Sequence, residues 1–235
     1  MYKRQIWGYT TVGIAQTQEE MDAHLANNKP NWGSKWGAGD VMYADLNGDG
    51  EVTSGSSTLG DHGDLTVIGN SYARYNFGLT LDGSWKGLDF SVFLQGVMKR
   101  DYWLSGPYFW GASGDEWQSA CFTEHLDYWT PDNPDAYYPK PYFGGIDKNQ
   151  KTQSGYLQNA AYLRVKNVQI GYTLPKSWTQ KASMESVRFY ISGDNLLTLT
   201  GISSIFDPET LGGDWGAGKL YPLQRTISVG VNVNF

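Results

Sequence analysis

Thr226-Ile-Ser-Val-Gly-Val-Asn-Val-Asn-Phe235 alternates polar and apolar residues without a break and finishes on an aromatic ring. Successive side chains of a strand point to opposite faces, so Ile227, Val229, Val231, Val233 and Phe235 share one face. Thr226, Ser228, Gly230, Asn232 and Asn234 share the other. About ten residues is the span of a tilted strand across a bilayer's hydrocarbon layer, with the apolar face toward lipid and the polar face toward a wet lumen. An edge strand of a soluble sandwich alternates in the same way, so the rest of the chain has to decide.

Period-two patterning recurs at 6–14, 72–81, 88–99, 161–174 and 186–200, which with 224–235 makes six expected strands. Their connections alternate in length: 15–71 is long, 82–87 a tight turn, 100–160 long, 175–185 modest and 201–223 long again. An antiparallel membrane barrel sorts its connections this way, with short periplasmic turns and long extracellular loops, whereas a sandwich has no reason to sort loops by parity. The expected fold is therefore all-β, six C-terminal strands of a large antiparallel outer-membrane β-barrel, with 15–71, 100–160 and 201–223 as extracellular loops.

The faces agree. Tyr75, Phe77, Leu79 and Leu81, and likewise Leu88, Phe90, Val92 and Leu94, form uncharged faces, while Asp89, Ser91 and Gln95 fall opposite. Val187, Phe189 and Ile191 oppose Arg188, Tyr190, Ser192 and Asp194. A Lys or Arg turned to lipid costs about 2–4 kcal/mol at the bilayer midplane, which is the selection such sorting reflects. The pattern changes phase near Asn167, read as a bulge, and Asn195 interrupts the apolar face of the fifth strand. Tyr72, Trp85, Tyr102, Trp103, Tyr172, Trp178 and Tyr221 fall near strand ends, where an aromatic girdle belongs.

Composition excludes other classes. No stretch reaches the length of an apolar membrane helix, so a membrane role must use strands. The net charge of −6 comes without a basic stripe, which argues against a nucleic-acid partner. Cys121 is the only cysteine, so neither a disulfide framework nor a thiolate metal cluster is available. Single-chain bacterial barrels begin at about eight strands, so six strands imply the C-terminal part of something larger, with a signal peptide upstream. Residues 1–5 read as a non-native start and 6–235 as the barrel part.

Gly39-Asp-Val-Met-Tyr-Ala-Asp-Leu-Asn-Gly-Asp-Gly50, Thr66-Val-Ile-Gly-Asn70, Gly78-Leu-Thr-Leu81 and Trp85-Lys-Gly-Leu-Asp-Phe-Ser-Val-Phe-Leu-Gln-Gly96 open a series of ordered segments. Asn159-Ala-Ala-Tyr-Leu-Arg-Val-Lys-Asn-Val168, Gly171-Tyr-Thr-Leu-Pro175, Gly193-Asp-Asn-Leu-Leu-Thr198 and Tyr221-Pro-Leu-Gln-Arg-Thr226 continue it. Together they resemble the C-terminal barrel of the SusC/RagA class of TonB-linked outer-membrane transporters of Bacteroidetes, over nearly the whole chain from Trp7. The resemblance implies a barrel of about 22 strands plugged by an N-terminal domain. It also implies a SusD-like surface lipoprotein as lid, energy through TonB from a region not in this chain, and glycans or large nutrients such as peptides as cargo. Phe235 resembles the signal read by the barrel-assembly machinery.

Asp45, Asn47, Asp49 and the Glu51 carbonyl stand where the first ligands of a calcium loop stand, with Gly50 for the sharp turn. The twelfth position is Ser56 rather than Glu, and by resemblance Asp61 or Asp64 takes the closing role. The expectation is a structural calcium; the alternative is an Asn-Gly/Asp-Gly turn cluster without an ion. Gly213-Asp-Trp-Gly-Ala-Gly-Lys219 has the outline of a phosphate loop, but Leu220 replaces the Ser/Thr and no helix pattern follows, so it reads as an extracellular loop. Trp103, Tyr108, Trp110 and Trp117 are the candidate ligand contacts, rings able to stack on sugars or peptide side chains, with Asp115 and Glu116 as acceptors; the alternative is that such rings pack the loop's own core. His24, His62 and His125 have no ligand spacing, and Glu124 with Asp127 is the one carboxylate pair in view, so no catalytic residue is nominated. The competing functional readings are a secreted carbohydrate-binding module and an adhesin barrel.

Overall fold

The computed structural model describes residues 4–111, 121–142, 146–212 and 220–235. The chain begins with short elements: β1 (Gln5–Gly8), β2 (Thr11–Ile14), α1 (Gln18–Leu25), β3 (Lys29–Pro30), β4 (Val41–Tyr43), β5 (Glu51–Val52) and β6 (Thr66–Asn70). There follow β7 (Asn76–Trp85), β8 (Leu88–Val97), β9 (Asp101–Tyr102), α2 (Pro107–Trp110), β10 (Gln158–Thr173), β11 (Ser186–Gly201) and β12 (Thr226–Asn234). The last five long strands form one antiparallel sheet in the order β12-β11-β10-β8-β7, with β9 beside the start of β10.

Register turns the sequence alternation into continuous rows. Gly83, Phe90, Ile170, Ile191 and Val229 stand side by side across the sheet, as do Leu81, Val92, Val168, Gly193 and Ile227. Asp82, Ser91, Gln169, Ser192 and Ser228 make one of the polar rows between them. The sheet thus has one wholly apolar face and one polar face, and the apolar one is bare: Val229 is 79% exposed and Ile227 67%. On the polar face Arg164 and Tyr162 are only 3% and 8% exposed, because the long connections fold down over it. A bare apolar face opposite a covered polar one is the inside-out arrangement of a membrane barrel wall.

Antiparallel order places the two short connections, β7–β8 and β10–β11, at one end and the long ones at the other. The first is tighter than the expected 82–87 turn: Trp85 pairs with Leu88 and only Lys86 and Gly87 lie between. Both have positive φ, 48° and 90°, the combination that matches the twist of the flanking strands and that Gly87 adopts without strain. The phase change near Asn167 is a bulge, with Lys166 unpaired between Val165↔Leu94 and Asn167↔Phe93. On β11 the chain answers with Asn195 at φ 52°, which resolves the interruption of its apolar face.

The expected strand at 6–14 is corrected. It splits into β1, which pairs β6, and β2, which pairs β4, and neither joins the large sheet. The break falls at Tyr9, whose N–H donates to the Thr152 carbonyl at 2.9 Å and whose carbonyl accepts the Ser154 N–H at 2.9 Å. Its ring is buried with the loops, so tertiary pairing overrides the local alternation.

Candidate functional site

The hydrophobic core lies in the long connections rather than between layers of sheet. Tyr9, Val41, Tyr43, Leu104, Phe109, Trp110, Tyr138, Tyr156, Ile202 and Phe206 are buried together. Phe109 meets Trp110 edge-on at 5.1 Å between centroids and Trp110 meets Tyr156 at 4.9 Å, the crossed geometry favoured by ring quadrupoles. α2 begins at Pro107, where a missing N–H costs nothing, and its one turn drives both rings inward.

Three polar ties hold this loop body together and to the wall. Lys148, 6% exposed, pairs with the fully buried Asp40 at 2.6 Å and donates to the Lys35 carbonyl at 2.7 Å. Asn149 joins both sides, donating to Asp40 at 2.9 Å and accepting the Val41 N–H at 3.0 Å. His125, 7% exposed, accepts the Phe122 N–H on Nδ1 at 3.0 Å, which leaves Nε2 to donate to the Phe109 carbonyl at 3.1 Å. Arg164 of β10 pairs with Asp207 and Glu209, each at 2.8 Å, and Lys166 with Glu209 at 2.9 Å. None of these was found in the sequence, since the partners stand up to 113 positions apart.

Of the expected ligand contacts, Trp110 is 5% exposed and covered by Trp103, Phe109, Tyr138 and Tyr156, so it offers no open face for stacking. Trp103 and Tyr108 are half-buried against the same core. Trp117, Asp115, Glu116 and the Gly213–Lys219 loop lie outside the described residues, as do residues 1–3. Phe235 is 89% exposed at the end of β12.

The Asp45–Glu51 loop is saturated from within. Asp45 accepts the N–H groups of Gly50, Gly48 and Asn47 at 2.7, 2.6 and 3.1 Å. Those bonds, the one from Gly50 foremost, hold its carboxyl below the usual range. Asn47 and Asp49 bond each other. Asp64, fully buried, accepts from Leu46 at 2.7 Å, Asn47 at 3.3 Å and Thr53 at 2.7 Å. Among the described residues no three His, Cys, Asp or Glu side chains are placed to hold a metal. These oxygens close a nest of Asx turns within the loop.

Two open cavities lie between the loops and the ends of β10 and β11. One, about 620 Å³, is lined by Glu124, Asp127, Tyr137, Gln158, Asn159 and Ser204. The other, about 670 Å³, is lined by Arg164, Thr198, Thr200, Ile205, Phe206 and Asp207. Carboxylates, hydroxyls and amides beside rings can hydrogen-bond hydroxyl-rich or amide-rich molecules. Glu124 accepts the Ser204 hydroxyl at 2.6 Å, which holds its carboxyl below the usual range, the wrong direction for a general acid. Asp127 accepts from Asn133 at 3.1 Å and the Tyr137 N–H at 3.2 Å, as a turn brace does.

No protein-family model matches the chain. It is 29% identical over 210 residues to TonB-dependent receptor P3 of Formosa agariphila, covering 84% of this chain and 19% of that protein. TonB-dependent receptor P26 of the same organism is 29% identical over 242 residues, covering 97% and 22%. The solved structure of the RagAB peptide transporter superposes with a TM-score of 0.67 at 24% identity, covering 98% of this chain and 23% of that one. The RagAB peptide importer in its open-open state gives 0.66 at 24% identity, covering 98% and 22%. The chain spans about a fifth of the length of the curated relatives it matches. Its sequence relatives are TonB-dependent receptors and its fold is that of a segment of their barrel, the SusC/RagA kind that its ordered motifs resemble.

Proposed function

We propose that this chain forms wall and extracellular loops of a TonB-dependent importer in the bacterial outer membrane, carrying glycans or other large nutrients such as peptides. The observation that carries the reading is the sheet's division into a bare apolar face and a polar face covered by loops. A wall of this kind transports by lining a passage, so its residues hold loops and cargo in place while the energy enters elsewhere in the longer protein. A SusD-like lipoprotein, TonB and the assembly machinery are the partners the reading calls for, and likeness to the RagAB peptide transporter supports peptide as one cargo class. A secreted sugar-binding module would need a closed, two-sided fold, and the unpaired apolar sheet speaks against it.

The test uses the full-length protein in its native host. Fractionation should place it in the outer membrane, and deletion of its gene should abolish growth on one defined pool of peptides or oligosaccharides. Recovery as a soluble secreted protein that binds polysaccharide would reject the importer in favour of the binding module.

A further inference from the structure

The end of the sheet bearing the short connections carries chemistry that the transport reading does not use. Trp85 and Trp178 are 67% and 65% exposed, and Tyr172, in the same cross-strand row as Trp85, is 40% exposed. The β7–β8 turn is fastened to β10 by the Thr173 N–H, which donates to the Gly87 carbonyl at 2.8 Å, so Trp85, Lys86 and Tyr172 share one rim. The helical turn Lys176–Thr179 and its continuation Gln180–Ala182 extend that rim beside β11. Lys86 holds its ammonium 4.8 Å from the Trp85 ring centre, and Lys176 and Lys181 are exposed on either side of Trp178. Among the described residues none of the three lysines has a carboxylate partner. The long connections expose acids and bases together, Glu19, Glu20, Asp22, Asp49, Glu51 and Asp61 with Lys29, Lys35 and Lys140, whereas Glu185 is an exposed acid beside the three rim lysines.

We propose that this rim binds the headgroups of anionic glycerophospholipids in the leaflet facing the short turns. The inference rests on the membrane-barrel reading. Exposed indoles sit at the interface between hydrocarbon and headgroups, which sets the depth of the three ammonium groups at the level of lipid phosphates. Lysines held there attract anionic lipid, and the indoles fix them in the leaflet facing the short turns. Trp85 and Trp178 supply depth, and Lys86, Lys176 and Lys181 supply headgroup preference.

The test places the full-length protein in vesicles containing brominated phosphatidylglycerol or brominated phosphatidylethanolamine at equal fractions and reads tryptophan quenching. The difference between wild type and the Trp85→Phe/Trp178→Phe variant isolates the two rim indoles. The expected result is stronger quenching by the phosphatidylglycerol probe, with local enrichment of about fivefold per engaged lysine. Lys86→Gln/Lys176→Gln/Lys181→Gln should equalise the two probes while both still quench. Equal quenching in the wild type, or a preference that survives in the lysine variant, overturns the proposal and leaves the barrel reading standing. Quenching by neither probe overturns both, because the rim then does not meet lipid.

Discussion

Arg188 on β11 reaches over Gly171 to Asp89 on β8, its Nε 2.9 Å from the carboxylate, so two strands that are not neighbours are joined across a third. The crossing works because Gly171 has no side chain: a Cβ there would stand 2.4 Å from the guanidinium. Gln169, also on the intervening strand, accepts from the same guanidinium at 3.2 Å. The polar face of the wall is thus laced by charge near its short-turn end, as the long loops cover it near the other.

Gly171→Ala should act through this crossing rather than through backbone strain. The added methyl displaces a flexible guanidinium, and a partly exposed ion pair is worth about 0–1 kcal/mol, so the loss should be of that size. Arg188→Ala should remove the effect of Gly171→Ala in a double-mutant cycle, measured by the midpoint of heat-induced unfolding of the barrel. Additive effects would show that the two residues are not coupled.

Trp110→Ala should loosen the loop body while leaving the sheet intact. Removing a buried indole costs about 3–5 kcal/mol, taken from the cluster it shares with Phe109, Tyr138 and Tyr156. Hydrogen exchange should accelerate in β4, α2 and 136–142 with β10 and β11 unchanged. Unchanged exchange together with weakened cargo binding would return the ring to the role of ligand contact.

Strand alternation made the sheet legible, because the face each residue takes is a local property of the extended backbone. The bulge at Lys166 was legible for the same reason: an extra residue shifts every later side chain to the other face. The loop body was not legible. Lys148 with Asp40, His125 with Phe109 and Arg164 with Asp207 are brought together by long-range folding that no spacing encodes. The Asp45–Glu51 motif reads two ways because alternating Asp and Asn around glycines is also what self-closing turns require, and the loop makes those turns. The 6–14 alternation misled because Tyr9 gains more by burial among the loop rings than by continuing a strand.

Asp64→Ala should destabilise the 45–64 loop equally with calcium or with a chelator present. The substitution strips Leu46 and Thr53 of their N–H acceptor in a buried site, at about 1–3 kcal/mol for each donor left unpaired. Limited proteolysis within 45–64 reads the change. Protection by calcium that the variant loses would favour the metal reading over the turn cluster.

Arg164→Met should release the segment 203–212 from the wall. Arg164 is 3% exposed and Asp207 9%, so removing the cation leaves a buried carboxylate unpaired, at a cost of about 3–5 kcal/mol. Protease cleavage after 203 should rise, and the double variant Arg164→Met/Asp207→Leu should recover part of the protection because no lone charge is left. Cleavage unchanged in the single variant would mean that the loop is held by Ile205 and Phe206 alone.

The loop body should melt in alkali before the sheet does. Burial raises the hydroxyl pKa of Tyr43, Tyr138 and Tyr156 above the ordinary value of 10.0, with neighbouring tyrosines adding to the shift at Tyr138 and Tyr156. A group whose folded pKa is raised contributes stability that is complete below its unfolded pKa and is lost as pH rises toward the folded one. The loss therefore starts near pH 10, where the unfolded loop ionises and the folded one resists. Tyr156→Phe keeps the ring and removes the ionisation, so it should move the alkaline midpoint of the near-ultraviolet dichroism upward. A midpoint that does not move would assign the alkaline sensitivity to another tyrosine of the cluster, and loops that survive to about pH 12 would remove its basis.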